Sequence, residues 1–194
     1  MTTESASVRR RLPPAVRREE ILAASTGLIA ASGFNGVSLG AFAAASGMTK
    51  AGLLHHFPSR EHLLIAVLER RDELDVAAVL GSSEPAPDAA ATRAVIGRLV
   101  RRNLRQRSIV QLYTVLSAEA LDPAHPAHDY FRRRLESSRD LLAGRLFGWH
   151  PRPGVAAVEL LAFLDGLQLN WLRDPGIDVI AQWEAFADRA YPDG

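Results

Sequence analysis

The stretch from Gly33 to Arg60, GFNGVSLGAFAAASGMTKAGLLHHFPSR, restricts the fold of this chain more than any other. It predicts two short helices joined by a tight turn. Ser38 suits the N-cap of the first, where its hydroxyl can take a free backbone N–H. Leu39, Phe42 and Ala43 follow at i, i+3 and i+4, one apolar face over two turns. Gly47 stands where the chain reverses, a place for a residue that enters the left-handed region without a Cβ clash. Thr49 can cap a second helix with Leu53 and Phe57 as its inward stripe, and Pro58 ends it. Helices this short do not hold together as an isolated pair, so a neighbour must pin them. Ala43, four residues before the turn glycine, lets the two cross closely. The arrangement is that of a helix-turn-helix of the kind that reads DNA.

The preceding segment supplies the pin. Between Pro14 and Ser32, residues Ile21, Leu22, Ser25, Leu28 and Ile29 repeat at helical spacing, while Arg17, Arg18, Glu19 and Glu20 fall mostly off that stripe. Gly33 is its C-cap. With this helix in register, the run Gly33-Phe34, Ser38-Leu39, Ala43, Ser46-Gly47-Met48-Thr49-Lys50 and Leu53 through Arg60 resembles the DNA-binding domain of the TetR family of bacterial transcriptional regulators. The resemblance covers roughly residues 15 to 75.

Charge supports that placement once it is divided along the chain. The net charge is +1, yet residues 1–60 carry seven basic and three acidic side chains, an excess of four positive charges. The remainder carries 16 basic and 19 acidic, an excess of three negative ones. A phosphate-binding face needs its cations at the reader. With 47% hydrophobic and 23% charged residues the chain is not of disordered composition, and with no cysteine it has no disulfide, thiolate nucleophile or zinc–thiolate site. No apolar run reaches the length of a membrane span, and the first residues lack the apolar core of a signal peptide. A soluble cytoplasmic protein with no membrane partner is expected.

Residues 1–13 read as a flexible basic arm in which Arg9, Arg10 and Arg11 either reach a minor groove or remain a solvated tail. Residues 14–60 form the reader, with the helix-turn-helix at 38–57. A connecting helix at 61–80 carries Leu63, Leu64, Val67, Leu68 and Leu74 on its apolar side. A break at 81–87 follows, and residues 88–194 form a second unit. Five helices are predicted there, at about 88–105, 108–121, 125–147, 155–173 and 177–190. The fourth is apolar nearly all round and needs partners on every side. One side packs on its own bundle. A second copy of the chain best explains the other, with Gly166 allowing close approach, and the resemblance likewise implies a homodimer through residues 155–190.

On the second helix of the reader, the face left outside comprises Thr49, Lys50, Ala51, Gly52, Leu54, His55 and His56. Lys50, the only lysine in the chain, can donate to guanine O6 and N7 or to a phosphate. Ala51 and Gly52 permit close approach to the bases. His56 resembles the family's phosphate contact, and Ser38, Ser59 and Arg60 complete the predicted DNA-binding set. Many members of the family carry tyrosine where this chain has Leu54. A hydroxyl contact is thereby absent, and an apolar contact to a thymine methyl can stand in its place.

Nothing in the sequence argues for catalysis. Pairs such as Glu19-Glu20 and Asp72-Glu73 read as solvated helix faces. His125 and His128, with Asp122 and Asp129, have metal-ligand spacing, but the prolines around them favour a helix start, and neither metal nor cofactor is expected. The resemblance implies a pocket for a small-molecule effector among the helices at 88–105, 108–121 and 125–147, closed by the start of the next. Its candidate polar residues are Asn103, Gln111, Tyr113, Thr114, Ser117, Glu119, Gln168, Asn170 and Trp171. The expectation is therefore an all-α protein of about nine helices, a three-helix reader followed by an effector-binding and dimerisation bundle. As a non-enzymatic regulator, most simply a repressor, it would bind a palindromic double-stranded operator. The alternative is a ligand-binding bundle that acts through protein partners without DNA.

Overall fold

The computed structural model describes residues 13–79 and 84–191. The predicted arm with Arg9, Arg10 and Arg11, and residues 81–83 of the predicted break at 81–87, lie outside the described residues. All regular structure among the described residues is helical: α1 (Pro14–Ser32), α2 (Leu39–Ala45), α3 (Lys50–His56), α4 (Arg60–Val79), α5 (Ala89–Leu104), α6 (Arg107–Glu119), α7 (His128–Arg145), α8 (Pro153–Arg173) and α9 (Val179–Ala190). Local chemistry sets many of these limits. Asp88 and Asp178 accept the N–H of Ala91 and Ala181, capping α5 and α9. Helix α7 starts three residues later than its apolar pattern predicts. His125 Nδ1 accepts the N–H of Ala127, and Asp122 accepts that of Ala124, so residues 122–127 close as turns.

Two cores organise the helices. The first gathers Ile21, Leu22, Ile29, Phe42, Leu53, Phe57, Leu63, Leu64 and Leu68 from α1–α4, together with Ile109, Leu112, Tyr113 and Leu116 of α6 and Tyr130 of α7. The second joins Ile96 and Val100 of α5, Leu160 and Leu164 of α8, and Trp183 and Ala187 of α9. Helix α6 serves both, because Val110 faces the second core while its neighbours face the first. The reader accordingly shares its core with α6 and has no separate one.

Along α4 the inward stripe changes character. Leu63, Leu64, Val67 and Leu68 are buried, but the next turns put Arg71, Asp72 and Asp75 on that side and leave Leu74 45% exposed. Leu74 therefore departs from the predicted apolar face. The partners of α4 at that level are the polar ends of α5, α6 and α7.

Helix α8 corrects one expectation. Its 21 residues are long and apolar enough, by length and composition, to cross a membrane. The sequence conceals this because Glu159 and Asp165 interrupt the run without outweighing it. In this fold Ala156, Ala157, Leu160, Leu164, Leu167 and Trp171 face the second core, whereas Val155 and Val158 are over 40% exposed.

One buried hydroxyl among the described residues lacks compensation. Ser25 on α1 is fully buried and its hydroxyl has no hydrogen-bond partner among the described residues. Ser25→Ala removes that desolvated hydroxyl at little cost in volume. It should leave stability unchanged or raise it by up to about 1 kcal/mol, read as the midpoint of urea unfolding. A fall of more than about 1 kcal/mol would mean that the hydroxyl is satisfied in solution.

Candidate nucleic-acid interface

Both predicted caps of the reader form. Ser38 Oγ accepts the N–H of Ala41 at 3.2 Å, and Thr49 Oγ1 accepts that of Gly52 at 3.1 Å. Gly47 takes φ +64°, the left-handed value that a side chain would strain, and the Met48 N–H returns to Ala43 O at 2.9 Å. The turn is thus closed by backbone bonds on a residue suited to it. Leu53 and Phe57 are buried, and the Arg18 guanidinium lies 4.5 Å from the Phe57 ring centre.

Orientation of α3 then follows from its inward pair. Lys50, Ala51, Leu54 and His55 are exposed, and His56 is half-buried with its ring 5.8 Å from that of His55. Lys50 has no ion-pair partner among the described residues. Two neighbouring cations are engaged with α1: Arg17 with Glu20 at 2.8 Å, and Arg70 of the connecting helix α4 with Glu19 at 2.7 Å. Gly52 has a local reason as well as the predicted one, since a Cβ there would meet the capping Thr49 Oγ1 at 3.3 Å.

Arg60 and Ser59 are placed differently from a simple phosphate pair. Arg60 Nε donates to Val37 O at 3.2 Å and its Nη2 donates to Phe34 O, so the guanidinium clamps the loop leading into α2 onto the start of α4. The Ser59 hydroxyl donates to Glu61 Oε2 at 2.8 Å, and its oxygen also lies 3.3 Å from the His62 N–H. Glu61's own backbone N–H, then Ser59, hold its carboxyl below the usual carboxylate range. Of the ten predicted DNA-binding residues, the structure brings Lys50, Ala51, Leu54 and His55 to one outward face. Ser38, Thr49, Ser59 and Arg60 are committed at least in part to holding that face in position.

The residues predicted to line the effector pocket do not all gather in one place. Asn103, Gln168 and Trp171 line a single cavity with Val100, Leu104, Leu164, Leu167 and Val179, between α5, the second half of α8 and the start of α9. Its volume is about 10 Å³, room for one water. Tyr113 lies elsewhere, in the first core. Thr114 donates to Val110 O and Ser117 to Thr114 O, each within its own helix, Gln111 is only half-buried, and Glu119 and Asn170 are exposed. The space expected between α6 and α7 is filled because Tyr113, Tyr130 and Arg134 occupy it.

Those three side chains converge on Asp72 of α4. Tyr130 Oη donates to Asp72 Oδ2 at 2.6 Å, Arg134 Nε lies 3.0 Å from the same oxygen, and the Tyr113 hydroxyl also donates to the carboxylate. Two guanidinium groups approach the Tyr113 ring, Arg134 at 4.5 Å and Arg71 at 5.1 Å from its centre. Burial raises both phenols above the ordinary tyrosine range, so they remain protonated donors. Beside Asp72, Arg71 donates to Asn103 Oδ1 at 2.6 Å and to Gln106 Oε1 at 3.1 Å, and about one turn on Arg102 pairs with Asp75. The reading of Asp72 as solvated surface is thereby corrected, while its neighbour Glu73 is exposed. The usable signal was spacing: Asp72 stands four residues after buried Leu68. His128 Nδ1 lies 2.9 Å from Ala120 O and His125 is used in its turn. No group of three potential metal ligands gathers among the described residues.

The sequence pattern of the family described as bacterial regulatory proteins, tetR family, matches residues 21–67. No curated protein matches the chain. Among solved structures, a transcriptional regulator from Rhodococcus sp. Rha1 is 24% identical with a TM-score of 0.71, over 89% of this chain and 92% of that one. NalD of Pseudomonas aeruginosa, the secondary repressor of the MexAB-OprM multidrug efflux pump, is 22% identical with a TM-score of 0.62, over 94% and 100%. FadR of Bacillus subtilis, in complex with stearoyl-CoA, is 13% identical with a TM-score of 0.70, over 90% and 97%. At these identities the likeness establishes the fold.

Proposed function

We propose that this chain, whose residues 21–67 match the tetR family of bacterial regulatory proteins, represses transcription as a homodimer on a near-palindromic operator and releases DNA when a small molecule binds its bundle. The observation that carries this reading is the outward face of α3. Lys50, Ala51, Leu54 and His55 project from a helix whose start, turn and inward pair are all fixed, which is what reading base edges requires. Residues 14–60 are the reader, 61–80 connect it, and 88–194 hold effector and partner.

Dimerisation is supported by the outer side of α8, where Val155, Val158, Ala162 and Gly166 are exposed, alongside Ala181 and Ala185 of α9. Phe163 of α8 stacks on Phe186 of α9 with ring centres 3.9 Å apart, which fixes the two helices as one surface. Two recognition helices about one helical turn apart, ~34 Å or somewhat more, would meet successive major grooves. NalD supports repression as the mode, and FadR, seen with stearoyl-CoA, supports a small molecule as the signal. Such a protein acts in the cytoplasm, where its operator is. The rival reading, a ligand-binding bundle that has lost DNA, draws on the engagement of Arg60 with its own loop.

Fluorescence anisotropy on the DNA flanking the gene, titrated at several salt concentrations with and without competitor, separates the two. Saturable binding that survives competitor and weakens steeply with salt supports the regulator. Lys50→Ala should then cost about 1–3 kcal/mol of operator affinity, roughly fivefold or more, with a relaxed preference at one base position. An equal loss on every sequence would assign Lys50 to phosphate instead.

A further inference from the structure

The outward face of α3 is chemically lopsided. Lys50 and His55 can make hydrogen bonds, but Ala51 and Leu54, three residues apart and so adjacent on the helix surface, offer only carbon. Leu54 is 36% exposed, the one large apolar side chain that is exposed among residues 17–73. It is not the overflow of a core stripe, because Leu53 and Phe57 already supply the buried side of α3. An exposed leucine at the centre of a surface otherwise built to meet a polyanion calls for an apolar counterpart.

In the major groove that counterpart is singular. Guanine and adenine show acceptors and an amino donor there, cytosine shows an amino donor, and thymine alone shows a methyl group. Leucine against any of the polar edges would displace their water and return no hydrogen bond. On the reading of α3 as a DNA-reading helix, we infer that the Ala51–Leu54 face packs on the C5 methyl of a thymine in each half-site, and that Leu54 is the residue that selects it. Lys50, one turn away, sets the polar contact beside it. Nothing in the fold opposes substitution at this position, because the Leu54 side chain supports neither the caps nor the core.

The test uses deoxyuridine, which keeps the pairing face and O4 of thymidine and lacks only the methyl. The intact chain selects binding sequences from a pool of random duplexes. The selected operator is then resynthesised with uracil in place of thymine, one symmetric pair of positions at a time, and its affinity measured by competition anisotropy. Losing one buried methyl per half-site corresponds to about fourfold, hence roughly 16-fold for the pair. The expected result is one position pair with that loss. Leu54→Met, which keeps an apolar contact, should retain the uracil penalty. Leu54→Ala should bind thymine and uracil operators within about twofold, with an unchanged melting temperature because the site is exposed.

Uracil tolerated within about twofold at every position overturns the inference while leaving the DNA-binding reading intact. So does a uracil penalty that persists undiminished in Leu54→Ala. If the pool yields no sequence bound above background, the DNA-binding reading itself fails and this inference falls with it.

Discussion

Phe42→Ala should lower the free energy of unfolding by about 3–5 kcal/mol and abolish operator binding. Phe42 is fully buried, and with Ala43 it forms the buried part of α2, Leu39 packing half-buried beside them. A helix of seven residues has no stability of its own to fall back on. Removing the ring leaves a cavity between α2 and the neighbours that pin it, and the turn at Gly47 loses its base. The chain carries its own reporter of how far the damage spreads. Its three tryptophans, Trp149, Trp171 and Trp183, all lie in or against the second core. Far-UV circular dichroism reads all helices, whereas tryptophan fluorescence reads only that core. Because α6 contributes to both cores, the two urea transitions should shift together in Phe42→Ala. A shift in circular dichroism with the fluorescence midpoint unmoved would show that the reader unfolds alone, against the shared core seen here.

Asp72→Ala is expected to cost about 2–3 kcal/mol, with Asp72→Asn at about half that. The alanine leaves the Arg134 guanidinium and the Tyr130 hydroxyl without their acceptor, though Tyr113 keeps an alternative in Leu68 O at 3.0 Å. Asparagine retains one carbonyl oxygen for a phenol but loses the charge that faces Arg134. Removing one member of a fully enclosed ion pair costs more. Here the side chains of Asp72 and Arg134 are 29% and 35% exposed, so water replaces part of what is lost. Urea unfolding measures the stability. Operator affinity measured alongside tests the role of the site: Asp72 holds the second half of α4 to α6 and α7, and α4 is clamped to the reader by Arg60. Asp72→Asn should therefore change operator affinity as well as stability. Unchanged affinity together with unchanged stability would reduce the cluster to surface chemistry.

Much of the reader was legible because its signals are local. A serine before two apolar turns, a glycine at the reversal and a threonine before the next helix act within three or four residues, and each occupies its predicted role. The same holds for α1, whose limits Pro14–Ser32 agree with its apolar period and its closing glycine. The face of α3 was legible for a related reason: once Leu53 and Phe57 point inward, helical geometry leaves Lys50, Ala51, Leu54 and His55 no other direction.

What lay beyond local rules came out differently. Arg60 could be counted as a cation but not aimed, and only the approach of the 34–37 loop to the start of α4 supplies the two carbonyls that hold it. Asp72 looked like solvent-facing charge because its partners are 41, 58 and 62 residues away in sequence. Three of the pocket candidates meet at the junction of α5, α8 and α9, whereas large side chains from α6 and α7 fill the space between those two helices. The sequence by itself thus determined where helices begin, end and turn, since caps, glycines and apolar periods act over one or two turns. Only the tertiary structure decided which charges are buried and where the bundle keeps its space. Those outcomes depend on distances between segments that no local pattern encodes.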